Sequence, residues 1–274
     1  MKSIFSQFEI GAVIHFAGSK SSIESDKYPI EYYENNVVGS INLFKEMANY
    51  DVKKIVFSSS ATVYGESNTK ICKENSKLSP ISVYGKTKLI IENILKDIKK
   101  AQPEWRIINL RYFNPIGAHP SGMLGEDPKN IPNNLLPFLT QVAVGKRKEL
   151  LVFGNNYDTC DGTGKRDFIH VEDLAIGHIA ALNNIQKANK INISLNLGTG
   201  KSYSVLEIID IFEKCTGRKV PYKIVEKRLG DISELIADPA LAKSILNWEA
   251  KYNIFEMCED AWRWQDMNPN GYGN

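Results

Sequence analysis

The fold class of this chain follows from one stretch, Lys54-Ile-Val-Phe-Ser-Ser-Ser60. An apolar run of this kind, closed by three serines, is typical of a strand that is buried on both faces and leads into a loop. Similar runs lie on either side of it, at residues 12–18 and 106–112. Between them, residues 32–50 and 82–100 carry apolar side chains at helical spacing. This alternation of strands and helices predicts an α/β fold with a parallel sheet and right-handed crossovers.

The character of the sequence changes at about Gly117. Gly, Pro and Asn cluster through Ile131-Pro-Asn-Asn134, and shorter mixed elements follow. These features predict a smaller α+β lobe over the carboxyl ends of the strands, which is where open α/β sheets bind ligands. We therefore expect a first part at residues 1–116 and a mainly ligand-binding part at residues 117–274. The chain is expected to cross back to the sheet near residues 165–200.

Length and composition describe an ordinary globular protein. The chain has 274 residues, of which 43% are hydrophobic and 24% charged, and its formal net charge is +2. A chain of this size can bury a sizeable core. Its charge favours no particular partner, and no basic stripe indicates nucleic acid. No apolar run approaches the roughly 18 residues that a membrane span needs. We expect neither a nucleic-acid partner nor a membrane partner.

The cysteines and histidines are scattered along the chain, without the spacing of a metal site. In the absence of a secretory signal, the cysteines predict reduced thiols in a cytosolic protein. The histidines are expected to have packing or hydrogen-bonding roles rather than to bind a metal. These residues are Cys72, Cys160, Cys215 and Cys258, and His15, His119, His170 and His178.

The candidate catalytic residues are Tyr84 and Lys88 on a predicted helix, with Ser60 at the end of the preceding strand. A spacing of four residues puts Tyr84 and Lys88 on one helical face. A protonated lysine favours phenolate and is expected to lower the tyrosine pKa from about 10. With a strand-end hydroxyl nearby, this set can act as a general base toward an alcohol whose carbon loses hydride. A Tyr-x-x-x-Lys pair alone is typical of a solvated surface, so the prediction depends on its context of strand, serines and helix.

Longer strings identify the family, because they are specific and occur in a fixed order. They are Val13-Ile-His-Phe-Ala-Gly18, Phe57-Ser-Ser-Ser-Ala-Thr-Val-Tyr-Gly65, Ser82-Val-Tyr-Gly-Lys-Thr-Lys88, Leu110-Arg-Tyr-Phe-Asn-Pro-Ile-Gly-Ala-His-Pro-Ser-Gly122, Gly125-Glu-Asp-Pro128, Ile131-Pro-Asn-Asn134, Gly162-Thr-Gly-Lys-Arg-Asp-Phe-Ile-His-Val171 and Trp262-Arg-Trp264. Together they resemble the UDP-glucose/UDP-galactose 4-epimerases, which are extended short-chain dehydrogenases/reductases. The resemblance runs from about Gly11 to the C-terminus.

The resemblance implies an NAD-dependent interconversion of UDP-galactose and UDP-glucose in galactose metabolism. It implies a Rossmann-type, doubly wound parallel sheet with the smaller UDP-sugar lobe. Tyr84 would take the proton from the sugar 4-hydroxyl, and Ser60 would hydrogen-bond the 4-oxygen. Lys88 would bind the nicotinamide ribose and support the phenolate. The NAD chemistry belongs to the cofactor, which the protein orients.

The resemblance also implies two sets of binding residues and a homodimer. The dimer would bury the helix that carries Tyr84 together with the preceding helix. Guanidinium groups in the substrate set are suited to a bidentate grip on pyrophosphate. The expected NAD positions are Phe16, Ala17, Gly18, Lys20, Asn35, Ser58, Tyr84, Lys88 and Phe113. The expected UDP-sugar positions are Ser60, Tyr84, Asn114, Asn134, Leu135, Phe153, Arg166, Arg228 and Asp231.

One departure from the family concerns the N-terminal part of the dinucleotide-binding half. A Rossmann half begins with a strand, a glycine-rich turn and a helix that holds the pyrophosphate. No such string precedes His15, and Gly198-Thr-Gly200 lies far too late in the chain. At roughly 30 residues per βα unit, we expect about 60–70 residues of the family pattern to be missing. The chain as written is therefore expected to bind NAD poorly.

Three readings follow from this pattern. The first is an NAD-dependent epimerase, and the second is a truncated homologue without activity that still binds a UDP-sugar or pairs with a full-length subunit. The third is a nucleotide-sugar dehydratase or decarboxylase of the same superfamily. Dehydratases need acidic groups just after the strand-end serine, where this chain has Ser60-Ala-Thr-Val63. The third reading is therefore disfavoured.

Overall fold

A computed structural model describes residues 1–66, 69–129, 131–188, 191–228 and 231–273 of the chain. The chain forms two compact units, each built from three separate segments. The first unit comprises residues 1–112, 176–197 and 238–248, and the second comprises residues 113–175, 198–237 and 249–274. The division into an NAD-binding part and a UDP-sugar-binding part stays a prediction.

Helices and strands alternate through the first half of the chain, as the sequence predicted. The helices are α1 (Lys2–Gln7), α2 (Ser22–Lys27), α3 (Pro29–Tyr32), α4 (Gly39–Asn49), α5 (Val83–Ala101), α6 (Leu135–Ala143), α7 (Val171–Lys187), α8 (Val205–Thr216), α9 (Ala240–Leu246) and α10 (Ile254–Met267). The strands are β1 (Val13–His15), β2 (Lys54–Ser58), β3 (Ile71–Cys72), β4 (Arg106–Tyr112), β5 (Asn114–Ile116), β6 (Leu150–Phe153), β7 (Lys165–His170), β8 (Asn192–Leu197), β9 (Ser202–Ser204), β10 (Tyr222–Val225) and β11 (Glu234–Ala237).

The first unit contains a four-stranded parallel sheet in the order β1-β2-β4-β8. Residues 55–58 of β2 and 107–111 of β4 are buried, as expected for inner strands of a parallel sheet that is covered on both faces. The carboxyl end of β2 carries the serines that the sequence singled out. The predicted α/β fold with parallel pairing is confirmed.

Helix α5 positions the candidate catalytic residues in the first unit. Ser82 caps its N-terminus by accepting a hydrogen bond from the Gly85 amide at 3.1 Å, and Lys99 and Lys100 lie in its last turn, where cations favour the helix dipole. Ile91 and Leu95 bury its apolar side in a cluster with residues of β2 and β4. The first turns of α5 lie at the carboxyl end of β2, where Lys88 bonds the Ser58 oxygen.

A π-helical turn at Tyr33–Val38 lies between α3 and α4. Such turns shift the helical register by one residue and occur frequently at functional sites. In this turn Asn36 is buried, whereas its neighbour Asn35 is exposed. The helical spacing of residues 32–50 indicated a helix but could not show this change of register.

The second unit is organised around β7. Strands β5 and β11 pair with β7 in parallel, and β9 pairs with it antiparallel. A separate parallel pair is formed by β6 and β10. Helix α8 begins with a capping box in which Ser204 and Glu207 bond each other's backbone amides, and it packs with α6 and α10 over a common apolar core.

Within the described residues, no helix is long and apolar enough to cross a lipid bilayer.

Two glycines in left-handed conformation give a matched test of the packing. At Gly65, with a φ of 59°, a Cβ would lie 1.8 Å from the backbone oxygen of Ser79. At Gly217, with a φ of 67°, nothing lies within 4 Å of the corresponding position. We expect Gly217→Ala to cost about 1 kcal/mol of unfolding free energy, the ordinary cost of a left-handed alanine. Gly65→Ala should cost clearly more because backbone must move.

Urea denaturation of the two variants, followed by circular dichroism, measures the difference. Equal losses of unfolding free energy would show that Ser79 does not approach Gly65 as closely as the structure has it.

Candidate active site

The three predicted catalytic residues come together in the first unit, where α5 meets the end of β2. The Lys88 ammonium donates a 2.8 Å hydrogen bond to the Ser58 backbone oxygen and lies 5.8 Å from the centroid of the Tyr84 ring. The Tyr84 hydroxyl is hydrogen-bonded to the Ser60 side chain. Tyr84, Lys88 and Ser60 are only 6%, 3% and 6% exposed. The expectation that Tyr84 and Lys88 share a helical face is confirmed.

Ser60 is oriented by the short 3-10 turn that follows it, Ala61–Val63. The Thr62 amide and hydroxyl both donate to the Ser60 oxygen, at 3.2 and 3.0 Å. A hydroxyl has two acceptor positions and one proton. Since Thr62 occupies both acceptor positions, the Ser60 proton is directed to the Tyr84 oxygen. The Tyr84 amide, in turn, is held by the Ser25 hydroxyl at 3.0 Å.

Burial dominates the electrostatics of this cluster. It raises the pKa of Tyr84 above the usual value, and the hydrogen bond from Ser60 opposes this only in part. Burial likewise lowers the pKa of Lys88 to about 8. The prediction that Lys88 brings the pKa of Tyr84 below 10 is therefore wrong for this structure, because desolvation penalises the charged form of both groups. The Phe57 ring, 4.9 Å from the ammonium, offsets a part of this penalty for Lys88.

The loop after β1 carries the first group of expected NAD residues, and it is exposed. Phe16, Ala17, Gly18 and Lys20 all have exposed side chains or backbone, as does Asn35. Asn35 donates a 3.1 Å hydrogen bond to the Ser19 hydroxyl from the π-helical turn. The structure thus brings five of the expected NAD positions to one surface of the first unit.

Asn36 is a residue of this site that the sequence did not reveal. Its side-chain oxygen accepts from the Ser19 amide at 2.7 Å, and its side-chain nitrogen donates to the Ser19 backbone oxygen at 3.0 Å. The same nitrogen donates to the Thr87 hydroxyl on α5 at 3.1 Å. Asn36 therefore ties the loop after β1 to the helix that carries Tyr84. Asn36 lies in the π-helical turn, which sequence periodicity cannot detect.

His178 links two of the expected NAD residues, Ser58 and Phe16. Its Nε2 atom lies 2.7 Å from the Ser58 hydroxyl, and the Phe16 ring stacks on the imidazole with a centroid distance of 4.4 Å. Phe16 is 55% exposed, so the other face of its ring is open to a ligand and the residue is not a core residue. His178 has the hydrogen-bonding role that was expected of the histidines.

Most of the expected UDP-sugar residues lie in the second unit, and four of them form one cluster. Arg166 makes an ion pair with Asp231. The guanidinium of Arg228 lies 3.8 Å from the centroid of the Phe153 ring. Tyr157, which the sequence did not indicate, donates a 3.0 Å hydrogen bond to Asp231. Burial, followed by the Asp231 charge, raises the pKa of Tyr157 to about 12.

The other expected positions of the second unit are not part of this cluster. Asn134 precedes α6 and donates to the Glu126 carboxylate at 3.2 Å, and Leu135 is the first residue of α6. Asn114 begins β5 and is exposed, whereas Phe113 is 4% exposed. Of the two aromatic residues among the expected NAD positions, Phe113 is therefore buried and Phe16 is exposed.

The glycine-rich string Gly198-Thr-Gly200 follows β8 and binds a carboxylate of the chain itself. The amides of Thr199 and Gly200 each donate a 2.9 Å hydrogen bond to the carboxylate of Asp167, which also accepts from the Ala237 amide. A turn of this kind presents amides to an anion. In this chain the carboxylate of Asp167 takes the place of such an anion. This agrees with the expectation from the sequence that Gly198-Thr-Gly200 is not the phosphate-binding loop.

Comparison with known proteins identifies the family. Residues 1–197 match the NAD dependent epimerase/dehydratase family, and the chain belongs to it. It is 52% identical to UDP-glucose 4-epimerase of Dictyostelium discoideum, over 100% of this chain and 80% of that protein. It is also 54% identical to UDP-glucose 4-epimerase of Bacillus subtilis, over 98% of this chain and 79% of that protein.

The chain is also similar in fold to solved structures of UDP-glucose 4-epimerases. UDP-glucose 4-epimerase from Bifidobacterium longum, in complex with NAD+ and UDP, has a TM-score of 0.95 and 48% identity, over 99% of this chain and 81% of that one. UDP-glucose 4-epimerase from Brucella ovis, in complex with NAD, has a TM-score of 0.90 and 38% identity, over 95% of this chain and 80% of that one.

The burial of Lys88 predicts a pH-dependent stability. Its pKa of about 8 in the folded chain lies below the unfolded value of 10.5, so the unfolded chain binds more protons between these values. Stability contributed by this residue is present above pH 10.5 and is lost as the pH falls through 8. From pH 10 down to pH 7, the wild-type chain should lose up to about 3 kcal/mol of unfolding free energy relative to Lys88→Met.

Urea titrations of both proteins at several pH values measure this difference, in which the other titrating groups cancel. Lys86→Met removes an exposed lysine of the same helix and is the control. Parallel stability curves for the wild type and Lys88→Met would contradict the burial of the ammonium.

Proposed function

We propose that this chain interconverts UDP-galactose and UDP-glucose by transient oxidation of the sugar at C4. The observation that carries the proposal is the cluster of Tyr84, Ser60 and Lys88, supported by close similarity to UDP-glucose 4-epimerases. NAD, when bound, supplies the reversible oxidation of C4. The chain has to remove and return the proton of the 4-hydroxyl on either face of the sugar.

Tyr84 is the general base for the 4-hydroxyl proton, and Ser60 can turn its one proton from the Tyr84 oxygen to the sugar 4-oxygen when the substrate is bound. The directed proton of Ser60 favours the phenolate oxygen of Tyr84, since a hydrogen bond to the charged form stabilises it. The buried Lys88 ammonium adds a positive charge near the phenol ring. As the phenolate, which these two groups favour, Tyr84 can accept the 4-hydroxyl proton and return it.

The residues of the first unit fit an NAD molecule. The exposed residues of the loop after β1 follow the carboxyl end of a parallel strand, which is the ligand-binding edge of an open α/β sheet. Phe16 offers an open aromatic face. An ammonium has three donors, and among the described residues Lys88 gives one of them to the Ser58 oxygen. Its other N–H groups can hold ribose hydroxyls. The finer fold that we infer for this unit is a partial Rossmann-type, doubly wound sheet.

The cluster of the second unit fits the UDP part of the substrate. Phe153 offers a ring for stacking on a base, and Arg228, stacked over it, brings a guanidinium to the same place. Asp231 can accept from a ribose hydroxyl, because its orientation is fixed by Arg166 and Tyr157. Asn114, Asn134 and Leu135 are the further substrate positions that we propose, and Phe113 a further NAD position.

We also propose a cytosolic homodimer that buries α5 and α4. Sedimentation velocity of the wild type, compared with a variant bearing a charge in place of the exposed Val38, tests the dimer.

The base assignment is tested by Tyr84→Phe. We expect kcat to fall by at least about 100-fold, the usual contribution of a general base, with KM for UDP-galactose almost unchanged. Proton NMR of UDP-galactose conversion, with NAD at saturation, measures both quantities. Tyr50→Phe removes a phenol hydroxyl elsewhere in the first unit and should keep the wild-type kcat. Wild-type turnover by Tyr84→Phe would refute the proposed role.

The UDP part is tested by Tyr157→Phe. Loss of the hydroxyl that holds Asp231 should raise the Kd for UDP by about 3- to 10-fold, which corresponds to one net hydrogen bond. Isothermal titration with UDP measures the change, and Tyr222→Phe, on exposed β10, is the control. An unchanged Kd would show that the hydrogen bond from Tyr157 to Asp231 does not contribute to UDP binding.

A further inference from the structure

Three consecutive serines at the end of β2, Ser58 to Ser60, are each bonded to a different residue of α5. Ser60 bonds the Tyr84 hydroxyl, and the Ser58 backbone oxygen accepts from Lys88. Between them, the Ser59 hydroxyl donates a 2.5 Å hydrogen bond to the Glu92 carboxylate. The three helix residues are spaced by four, so they form one row along the helix. Glu92 is thus the third member of the row that begins with the proposed catalytic base.

Glu92 is held from its other side by Arg111 on β4. The Arg111 Nε and one terminal nitrogen donate to the two carboxylate oxygens, at 3.0 and 2.6 Å, and the two side chains are 5% and 6% exposed. Arg111 also donates to the Glu74 backbone oxygen at 3.0 Å and to the Tyr64 hydroxyl at 3.3 Å. A buried polar network that is satisfied in this way is rigid.

Stability is a weak explanation for this ion pair. Two buried charges lose their hydration, and well-packed apolar residues in their place are often as stable or more so. A fixed local geometry is a better explanation, and the backbone shows where it is needed. The Ser59 amide bonds the Phe57 oxygen at 3.0 Å, so the chain bends at Ser58 as it leaves β2. The bond from Ser59 to Glu92 fixes that bend.

We propose that Glu92, clamped by Arg111, is a positioning residue that acts through Ser59. It fixes the bend after β2, and so holds Ser60 against the Tyr84 hydroxyl and the Ser58 oxygen against the Lys88 ammonium. Glu92 itself contacts neither the base nor the lysine in this role. The inference rests on the proposed function, because it assigns the Ser60–Tyr84 contact a part in the reaction.

Ser59→Ala is the variant that isolates this role, because it leaves the Glu92–Arg111 pair intact. We expect kcat to fall about tenfold with KM for UDP-galactose unchanged, since small misplacements of a reacting group have effects of this order or larger. Ser194→Ala is the matched control, since it removes a hydroxyl of the same unit that is bonded to Asn109 on β4. It should keep the wild-type kcat.

A second readout does not depend on turnover. Tyrosine labelled with 13C at Cζ reports the ionisation of Tyr84 by NMR, with Tyr84→Phe assigning the signal. If Ser60 loosens in Ser59→Ala, the Tyr84 titration should move to higher pH, because the hydrogen bond that favours phenolate weakens. A wild-type chain without epimerase turnover would refute the proposed function, whereas this titration would still test the positioning role.

Glu92→Gln removes the charge that pairs with Arg111, so the oxygen that accepts from Ser59 is no longer clamped in place. If both residues act through one bond, Ser59→Ala combined with Glu92→Gln should lower kcat no further than the worse single variant. If Ser59→Ala does not fold, Glu92→Gln carries the same two measurements. A folded variant with a lower melting temperature, but with wild-type kcat and an unchanged Tyr84 titration, would overturn the proposal.

Discussion

The hydrogen bond from the Lys88 ammonium to the Ser58 backbone oxygen is the contact on which the first unit's site depends. It joins α5 to the carboxyl end of β2 at a point that is almost closed to water. A buried ammonium needs such an acceptor, because burial without one would favour its loss of the proton. The same bond fixes where Tyr84 lies, since Tyr84 is one helical turn away. This charged contact therefore links the sheet, the helix and the candidate base.

In this arrangement, burial disfavours the charged forms of both Tyr84 and Lys88. Burial raises the pKa of Tyr84 above its ordinary value and lowers the pKa of Lys88 to about 8, so the two proton affinities move apart. The neutral phenol is therefore favoured in the chain by itself, and the phenolate that acts as the base depends on the Ser60 hydrogen bond and on the Lys88 charge. An exposed Tyr-x-x-x-Lys pair has no such desolvation to overcome. Burial, rather than the four-residue spacing, sets the proton affinities of the pair.

The sequence predicted what depends on local pattern and on motif. Strands β2 and β4 and helix α5 follow from apolar runs and helical spacing, and the Tyr84–Lys88 face follows from a separation of four residues. The direction of the Tyr84 pKa was predicted wrongly, because a sequence shows which residues neighbour one another along the chain and not how deeply they are buried. Asn36 and Ser19, or Ser58 and His178, are joined by side-chain bonds across 17 and 120 residues. No local periodicity records such pairs.

Arg166 and Arg228 in the second unit have unequal electrostatic roles, although the sequence gives them the same one. Arg166 is paired with Asp231, so most of its charge is compensated within the chain and its effect is to orient a carboxylate. Arg228 instead lies over the Phe153 ring, which attracts the cation without neutralising it, and the Asp231 charge also acts on it. An anionic ligand gains most from the charge that is less fully compensated within the chain. Arg228 is therefore the stronger candidate for the diphosphate of the proposed substrate, and Arg166 acts on the ribose side through Asp231.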